Sequence, residues 1–338
     1  MSKKGASKKA GLKKSKAKKD ETKESNVEKT PSKQVVTKTG GAPELKPGKY
    51  SDGHPLDEVQ YLESKLILKG DRFTSVESFR DFARLVRRAA EQTGVGYSAK
   101  EFKGQVPQIR EVLFLDTADF KLYNNAFILR RRITYENGFP VGDPEIVFKY
   151  RHPDMQKTAA LDVRPKIAGD YRIKFKAEAL PLKDQPGGYR LLYSHNVEFG
   201  FSQQHTGDIT AADMTTLGNV FPALQTLKGA RKEKVELVNQ TAVEEVLLDI
   251  AMLDFGKGIT AKSDVAVWRT RGDQKQLVGE FSFQCKFQRR SELHAAAMKR
   301  AEQFFVTLQE VAQDWLALGT TKTGAVYRLK GNPPQAHE

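Results

Sequence analysis

The sequence predicts an α+β fold, an antiparallel β-rich domain with a few covering helices, and three patterns predict it. First, charged residues recur two apart inside apolar stretches: Arg130 with Arg132, Lys149 with Arg151, Arg172 with Lys174 and Lys176, and Lys232 with Lys234. Residues i and i+2 of a strand point to one face, so each stretch reads as a strand with a cationic side and an apolar side. Second, Phe79, Phe82, Val86 and Ala90 follow Ser75 at helical spacing and stop near Gly94, the start and stop signals of an amphipathic helix. Third, Leu293, Ala297, Ala301, Phe304, Phe305, Leu308 and Trp315 form one apolar stripe between Ser291 and Gly319.

The strands follow in order. A first strand covers about 59–68, ahead of the Ser75 helix. Strands are expected at 110–116, 126–135, 145–151 and 171–179. Residues 181–229 are rich in Gly, Pro and polar residues and read as an insertion or long connection. A strand with Lys232 and Lys234 follows at 232–238. In 243–255, Thr241 and Glu244 have capping-box spacing, yet Val246, Leu248, Ile250 and Met252 alternate with their neighbours. A strand is the better reading there, because Gly256 and Gly258 turn it into the next one at 264–269. A further strand spans 277–287, before the final helix. A one-sided sheet usually alternates apolar with mixed polar residues. Here the polar positions are nearly all cationic, so strands closed into a barrel with that face inward would enclose a dense anion site.

The chain has 338 residues and a net charge of +14, unevenly placed. Residues 1–49 hold fifteen Lys against five acids, and the first nineteen residues contain nine Lys and no acid. Such a stretch buries too little apolar surface to offset its ordering entropy. A disordered Lys-rich tail over 1–49 is therefore expected, then a single domain over 50–338. With no aromatic residue before Tyr50, the tail could attach to nucleic acid only without sequence preference.

No apolar signal core follows Met1, and no run approaches the ~20 apolar residues of a membrane span. The single Cys285 excludes an internal disulfide. A cytoplasmic location with no membrane contact is the expectation. Scattered His residues show no zinc spacing, so a bound metal would be a hard cation held by carboxylates. No Ser, His and acid stand in a readable triad. Cys285 reads as a small buried hydrophobe, and Phe304, Phe305 and Trp315 read as core.

The motifs then become familiar in their order: Leu62-Glu63-Ser64-Lys65-Leu66, Phe114-Leu115-Asp116-Thr117, Leu129-Arg130-Arg131-Arg132, Phe148-Lys149 and Arg172-Ile173-Lys174. After them come Phe221-Pro222, the Lys232/Lys234 stretch, Gly279-Glu280-Phe281-Ser282, and Lys322 near Tyr327. Over roughly residues 57–330 the chain resembles the CYTH family, the triphosphate tunnel metalloenzymes. The resemblance implies an antiparallel barrel of about eight strands forming a tunnel. It also implies phosphate binding by Lys65, Arg130, Arg132, Lys149, Arg172, Lys174, Lys232, Lys234 and Lys322. Mg or Mn would sit on Glu63 and Glu280, and Arg132, Lys149 and Glu280 would act in catalysis. Triphosphate, polyphosphate or a nucleotide would be the ligand, and phosphohydrolysis the reaction. Charge neutralisation and positioning are most of what phosphoryl transfer requires.

The chain departs from that pattern on its acidic side. Lys65 stands where a second acid belongs, Lys174 and Lys176 follow Arg172 where acids are usual, and Ser282 replaces a Glu. Asp116 reads as a turn cap. Carboxylates remain at Glu63 and Glu280, with Glu178 or Asp249 as supplements. The alternative reading is therefore a catalytically degenerate relative that binds polyphosphate or nucleic acid without turnover.

Overall fold

The computed structural model describes residues 59–99, 104–203, 212–227, 232–287 and 292–331. The tail expected over 1–49, and the nucleic-acid tether expected of it, lie outside these residues. In chain order the strands are β1 (Tyr61–Leu68), β2 (Gly96–Ser98), β3 (Gln108–Asp116), β4 (Phe127–Glu136), β5 (Phe139–His152), β6 (Arg172–Pro181), β7 (Tyr189–Gly200), β8 (Glu236–Leu237), β9 (Val243–Asp254), β10 (Thr260–Thr270) and β11 (Gln276–Lys286). The helices are α1 (Val76–Thr93), α2 (Lys121–Asn124), α3 (Met155–Ala160), α4 (Met214–Val220), α5 (Ala295–Val311) and α6 (Lys322–Tyr327).

Nine of the strands close into a ring in the order β9-β10-β11-β1-β6-β7-β5-β4-β3 and back to β9, with short β2 and β8 appended to β9 and β3. All neighbours in the ring are antiparallel except β1 and β6, which run parallel with Glu63 beside Glu178. The barrel is therefore mixed and nine-stranded, where a fully antiparallel one of about eight strands was expected. The long chain between β1 and β6 is what permits the parallel pairing, since such a pair needs a crossover rather than a tight turn.

The extra strand is β7, which lies in the stretch read as an insertion. It pairs with β5 on one side and β6 on the other. Its Ser194, Asn196 and Glu198 alternate with Tyr193, Val197 and Phe199, the period of a strand, but buried His195 interrupts the apolar face and the surrounding Gly, Pro and polar residues mask the signal. The Gly and Pro signals belong to the β6–β7 turn, where Gly187 takes φ +93°. Conversely, the strand expected at 232–238 shrinks to Glu236–Leu237, preceded by a lone bridge between Asp213 and Lys234.

The apolar residues of the strands face outward, beneath cover. On one side α1 and α5 lay Phe79, Phe82, Val86, Phe304, Phe305 and Leu308 over Leu66, Val265, Phe281, Phe283 and the buried Cys285. Burial pushes the Cys285 thiol up to about 12. α1 ends as expected on Gly94 at φ +66°. α5 is capped by the His294 ring, stops at Val311 before reaching Gly319, and leaves Trp315 in a following 3-10 turn; Ser291 lies outside the described residues. On the opposite side, Phe127, Leu129, Ile146, Phe148, Val197 and Phe199 pack against residues 161–171 and α4. A third cluster brings Ile67, Val112, Ile128, Trp268 and Val278 together with Val326 and Tyr327 of α6. The lumen-facing stripes thus end in an apolar layer with α6 packed on it. Among the described residues no helix is long and apolar enough to cross a membrane.

Candidate functional site

With the apolar faces turned outward, the charged i, i+2 stripes line the barrel lumen, which holds a cavity of about 370 Å³. Ten lining side chains are cationic and six acidic, a surplus of four; the buried Glu178 beneath them reduces it to three. The two signs are segregated. Arg130 and Arg132 of β4, Lys149 and Arg151 of β5, and Lys174 and Lys176 of β6 form a cationic wall. Glu245 and Asp249 of β9, Asp264 of β10 and Glu280 of β11 form an acidic one, with Glu63 and Lys65 of β1 between them.

One carboxylate anchors the cationic wall. Glu178 accepts from Lys149 Nζ at 2.8 Å, Lys65 Nζ at 3.0 Å and Ser194 Oγ at 2.6 Å, with Arg151 Nη1 at 3.7 Å. Burial works against the Glu178 charge, but Lys149, Lys65 and Arg151 outweigh it and hold the carboxyl well below the usual range. With three cations crowded on Glu178, the least favoured proton is loosely held. For Lys149, burial and the neighbouring Lys65, Arg151 and Lys176 outweigh Glu178 and bring the pKa down to about 7. For Lys65, burial is overcome by Glu178, Glu63 and Glu280, and the pKa rises. Glu198 accepts from Lys174 at 2.8 Å and from Arg172 at 2.5 Å. Arg132 donates to Glu145 at 2.5 Å. Arg130 has no carboxylate partner among the described residues, and its buried Nε has no hydrogen-bond partner there. The Asn196 Oδ1, on the β7 residue paired in register with both Lys149 and Lys174, is likewise unmatched.

On the acidic wall each carboxylate but one meets a cation. Lys322 Nζ lies 2.8 Å from Glu280 and 3.3 Å from Glu245. Glu245 also accepts from Trp268 Nε1 at 2.8 Å and lies 3.4 Å from Arg110. Asp249 pairs with Lys262 at 2.6 Å. Glu63 is 3.1 Å from Lys65 and 3.2 Å from Lys176, which offset its burial and draw it down to about 2. Among the described residues Asp264 has only Ser282 Oγ, at 3.2 Å. Burial, opposed by Lys322 but reinforced by Glu280 and Glu63, pushes its carboxyl up to about 7.

Of the residues expected at the site, Glu63, Lys65, Arg130, Arg132, Lys149, Lys174, Glu280 and Lys322 come together in the lumen. Arg172 stands beside it with a side chain 64% exposed, tied to Glu198. Lys232 and Lys234 do not join the lining: the strand that would have turned them inward does not form, and both are exposed. Arg110, Arg151, Lys176, Glu198, Glu245 and Asp264 are lining residues beyond the expected set. Arg151 and Lys176 were signalled by the i, i+2 rule. Glu198 was hidden in the unrecognised β7, and Glu245 in the segment with capping-box spacing. Asp116 is buried and accepts from the backbone N–H of Thr117, Leu122 and Tyr123 and from Tyr327 Oη, a cap rather than a ligand.

Among the described residues no three His, Cys, Asp or Glu side chains are grouped as a metal site. Glu63 and Glu280, the expected ligands, are each engaged by lysine ammonium groups. As placed, the donor set does not fit a resident divalent ion, which requires several oxygen ligands converging at close range.

No family model matches the chain, and no curated protein matches it. Solved structures do. One is a candidate adenylyl cyclase from Hippeastrum with a dominant triphosphatase activity, 15% identical, with TM-score 0.37, covering 82% of this chain and 98% of its own. A candidate adenylate cyclase from Bacillus halodurans is 11% identical, TM-score 0.32, covering 78% and 95%. Another from Vibrio parahaemolyticus is 9% identical, TM-score 0.33, covering 79% and 98%. The closed barrel itself rests on this chain's own strand pairings.

Proposed function

We propose that the lumen binds the phosphate chain of a triphosphate-type anion: triphosphate, polyphosphate or a nucleoside triphosphate. The observation that carries this reading is the cationic surplus of the lumen, ten cationic lining side chains against six acidic ones, with Lys65, Lys149 and Arg151 crowded on Glu178 and Arg130 in no ion pair among the described residues. Burying uncompensated charge is costly, and an anion with several oxygens offsets that cost through charge-assisted hydrogen bonds. The resemblance to the CYTH family points to the same ligand class. Thermal-shift and calorimetric titration with tripolyphosphate, ATP and long-chain polyphosphate test it. A ligand at 100 times its Kd adds about 2.7 kcal/mol to stability. A folded sample that responds to none of the three disproves the reading.

A second reading is hydrolysis of that chain, and one pair of groups favours it. Lys149 on the cationic wall and Asp264 on the acidic wall are both poised near pH 7, where a proton donor or acceptor works best. In such a reaction water adds to a terminal phosphorus, the bridging P–O bond breaks, and the leaving phosphate takes a proton. Phosphate release from the same three compounds, with and without Mg2+ or Mn2+, tests it. Activity that persists unchanged in both Asp264→Asn and Glu280→Gln belongs to a contaminant. Binding without release in any condition leaves the barrel as a receptor.

A further inference from the structure

The acidic wall faces a phosphate-binding lumen, where its charge should repel the ligand unless a cation intervenes. That cation is on the chain. Lys322 Nζ sits between Glu280, at 2.8 Å, and Glu245, at 3.3 Å, and 4.9 Å from the centre of the Trp268 ring. An ammonium has three N–H donors, so two carboxylates leave one for a further oxygen in the lumen. Its backbone is held rigidly. Thr321 caps α6 by accepting from Gly324 N–H at 3.0 Å. Asn239 Nδ2 donates to the carbonyls of Val326 and Tyr327 at 2.8 and 3.1 Å. Tyr327 donates to the buried Asp116 at 3.1 Å and stacks on Tyr123 at 4.1 Å. The ammonium is thus presented from a fixed base, not from a lid.

We propose that Lys322 is a built-in counter-cation that occupies the acidic wall in place of a divalent metal and bridges Glu245 and Glu280 to the bound phosphate chain. This rests on the lumen reading above for the identity of the anion, though not for the occupancy of the wall. A divalent ion needs carboxylate oxygens at about 2.0 to 2.6 Å, and those of Glu280 and Glu245 are already committed to an ammonium that repels it. The acidic wall therefore has only weak metal affinity in the wild-type chain, and gains affinity when the ammonium is removed.

Mn2+ binding, followed by electron paramagnetic resonance of the free ion in the absence of phosphate, is the direct test. Wild type should bind Mn2+ weakly, and Lys322→Ala and Lys322→Gln at least tenfold more tightly. Lys322→Arg, which keeps the charge, and the double variant Lys322→Ala with Glu280→Gln should show no gain. Lys322→Gln preserves length and hydrogen bonding and serves where the alanine variant does not fold. Wild type that binds Mn2+ as tightly as both neutral variants, or neutral variants that gain nothing, overturns the proposal. In a second arm, tripolyphosphate affinity in EDTA should fall tenfold or more in Lys322→Gln and be restored by Mg2+, with wild type indifferent to EDTA. Wild type that needs Mg2+ for tripolyphosphate overturns the bridging role. Wild type that ignores tripolyphosphate altogether overturns the ligand reading instead, and the Mn2+ result still decides who occupies the wall.

Discussion

The two walls of the lumen are built from the same kind of strand and solve the same problem in opposite ways. On the β9–β11 wall each acid except Asp264 has a cation partner: Lys322 lies between Glu280 and Glu245, Arg110 also meets Glu245, and Lys262 pairs with Asp249. On the β4–β6 wall, Lys149 and Arg151 crowd on Glu178 together with Lys65 of β1, which also meets Glu63, and Arg130 makes no ion pair among the described residues. A buried charge that is paired roughly recovers its desolvation cost, whereas one left short of partners is a cost that a ligand can relieve. On the proposed reading, the acidic wall is largely balanced within the fold, whereas the cationic wall takes its remaining partners from a bound anion.

The comparison breaks most visibly at Glu178. Glu178→Gln removes the single charge beneath three cations and should destabilise the protein by about 3 to 5 kcal/mol, because the loss leaves buried charge uncompensated. Denaturant unfolding measures it, and added tripolyphosphate should recover part of the loss. An unchanged midpoint would mean that solvent already screens the wall.

Arg130 should show the converse. With no ion pair to break among the described residues, Arg130→Ala should leave the unfolding midpoint unchanged or slightly raised. It should weaken tripolyphosphate binding by about 1.5 to 3 kcal/mol, roughly ten- to 150-fold, the worth of a hydrogen bond to a charged group. Calorimetric titration beside a melting curve separates the two effects.

The poised groups sharpen the comparison through pH. The Asp264 carboxyl is raised in the fold to about 7, so the folded state holds a proton the unfolded chain has lost. Its contribution to stability declines as pH rises from about 4 to about 7. Lys149 is lowered to about 7, so the unfolded chain holds the extra proton, and its contribution recovers as pH rises above 7. Melting temperature against pH should lose the decline in Asp264→Asn and the recovery in Lys149→Met. Anion affinity should fall as pH rises through about 7, with proton uptake on binding visible as a buffer-dependent heat.

The smallest effects belong outside the walls. Arg172→Ala leaves Glu198 still paired with Lys174 at 2.7 Å and should cost a few-fold in affinity. The exposed pair Lys232→Ala and Lys234→Ala should change affinity by less than about threefold at physiological salt, where solvent screens such charges. A larger loss would place them at the ligand after all.

The sequence alone determined which faces are charged. Arg130 with Arg132, Lys149 with Arg151, and Lys174 with Lys176 must share a face wherever their strands go, because side-chain alternation is a property of the extended backbone. The helices α1 and α5 and the strands β1, β3 to β6 and β9 to β11 were legible for the same reason, since each carries its own period and punctuation. What only the tertiary structure decided is which strands are neighbours. β7 escaped because its short alternation, Ser194, Asn196 and Glu198 against Val197 and Phe199, is interrupted by His195 and sits in a stretch dominated by Gly, Pro and polar residues. The parallel meeting of β1 and β6 and the return of α6 to Glu245 and Glu280 are contacts between residues more than 40 apart in the chain, as Lys322 to Glu280 shows. Local spacing cannot encode a partner at that distance. The chain sets the sign of each charge locally, but closure of the barrel decides which charges find a counter-charge and which are left for a ligand.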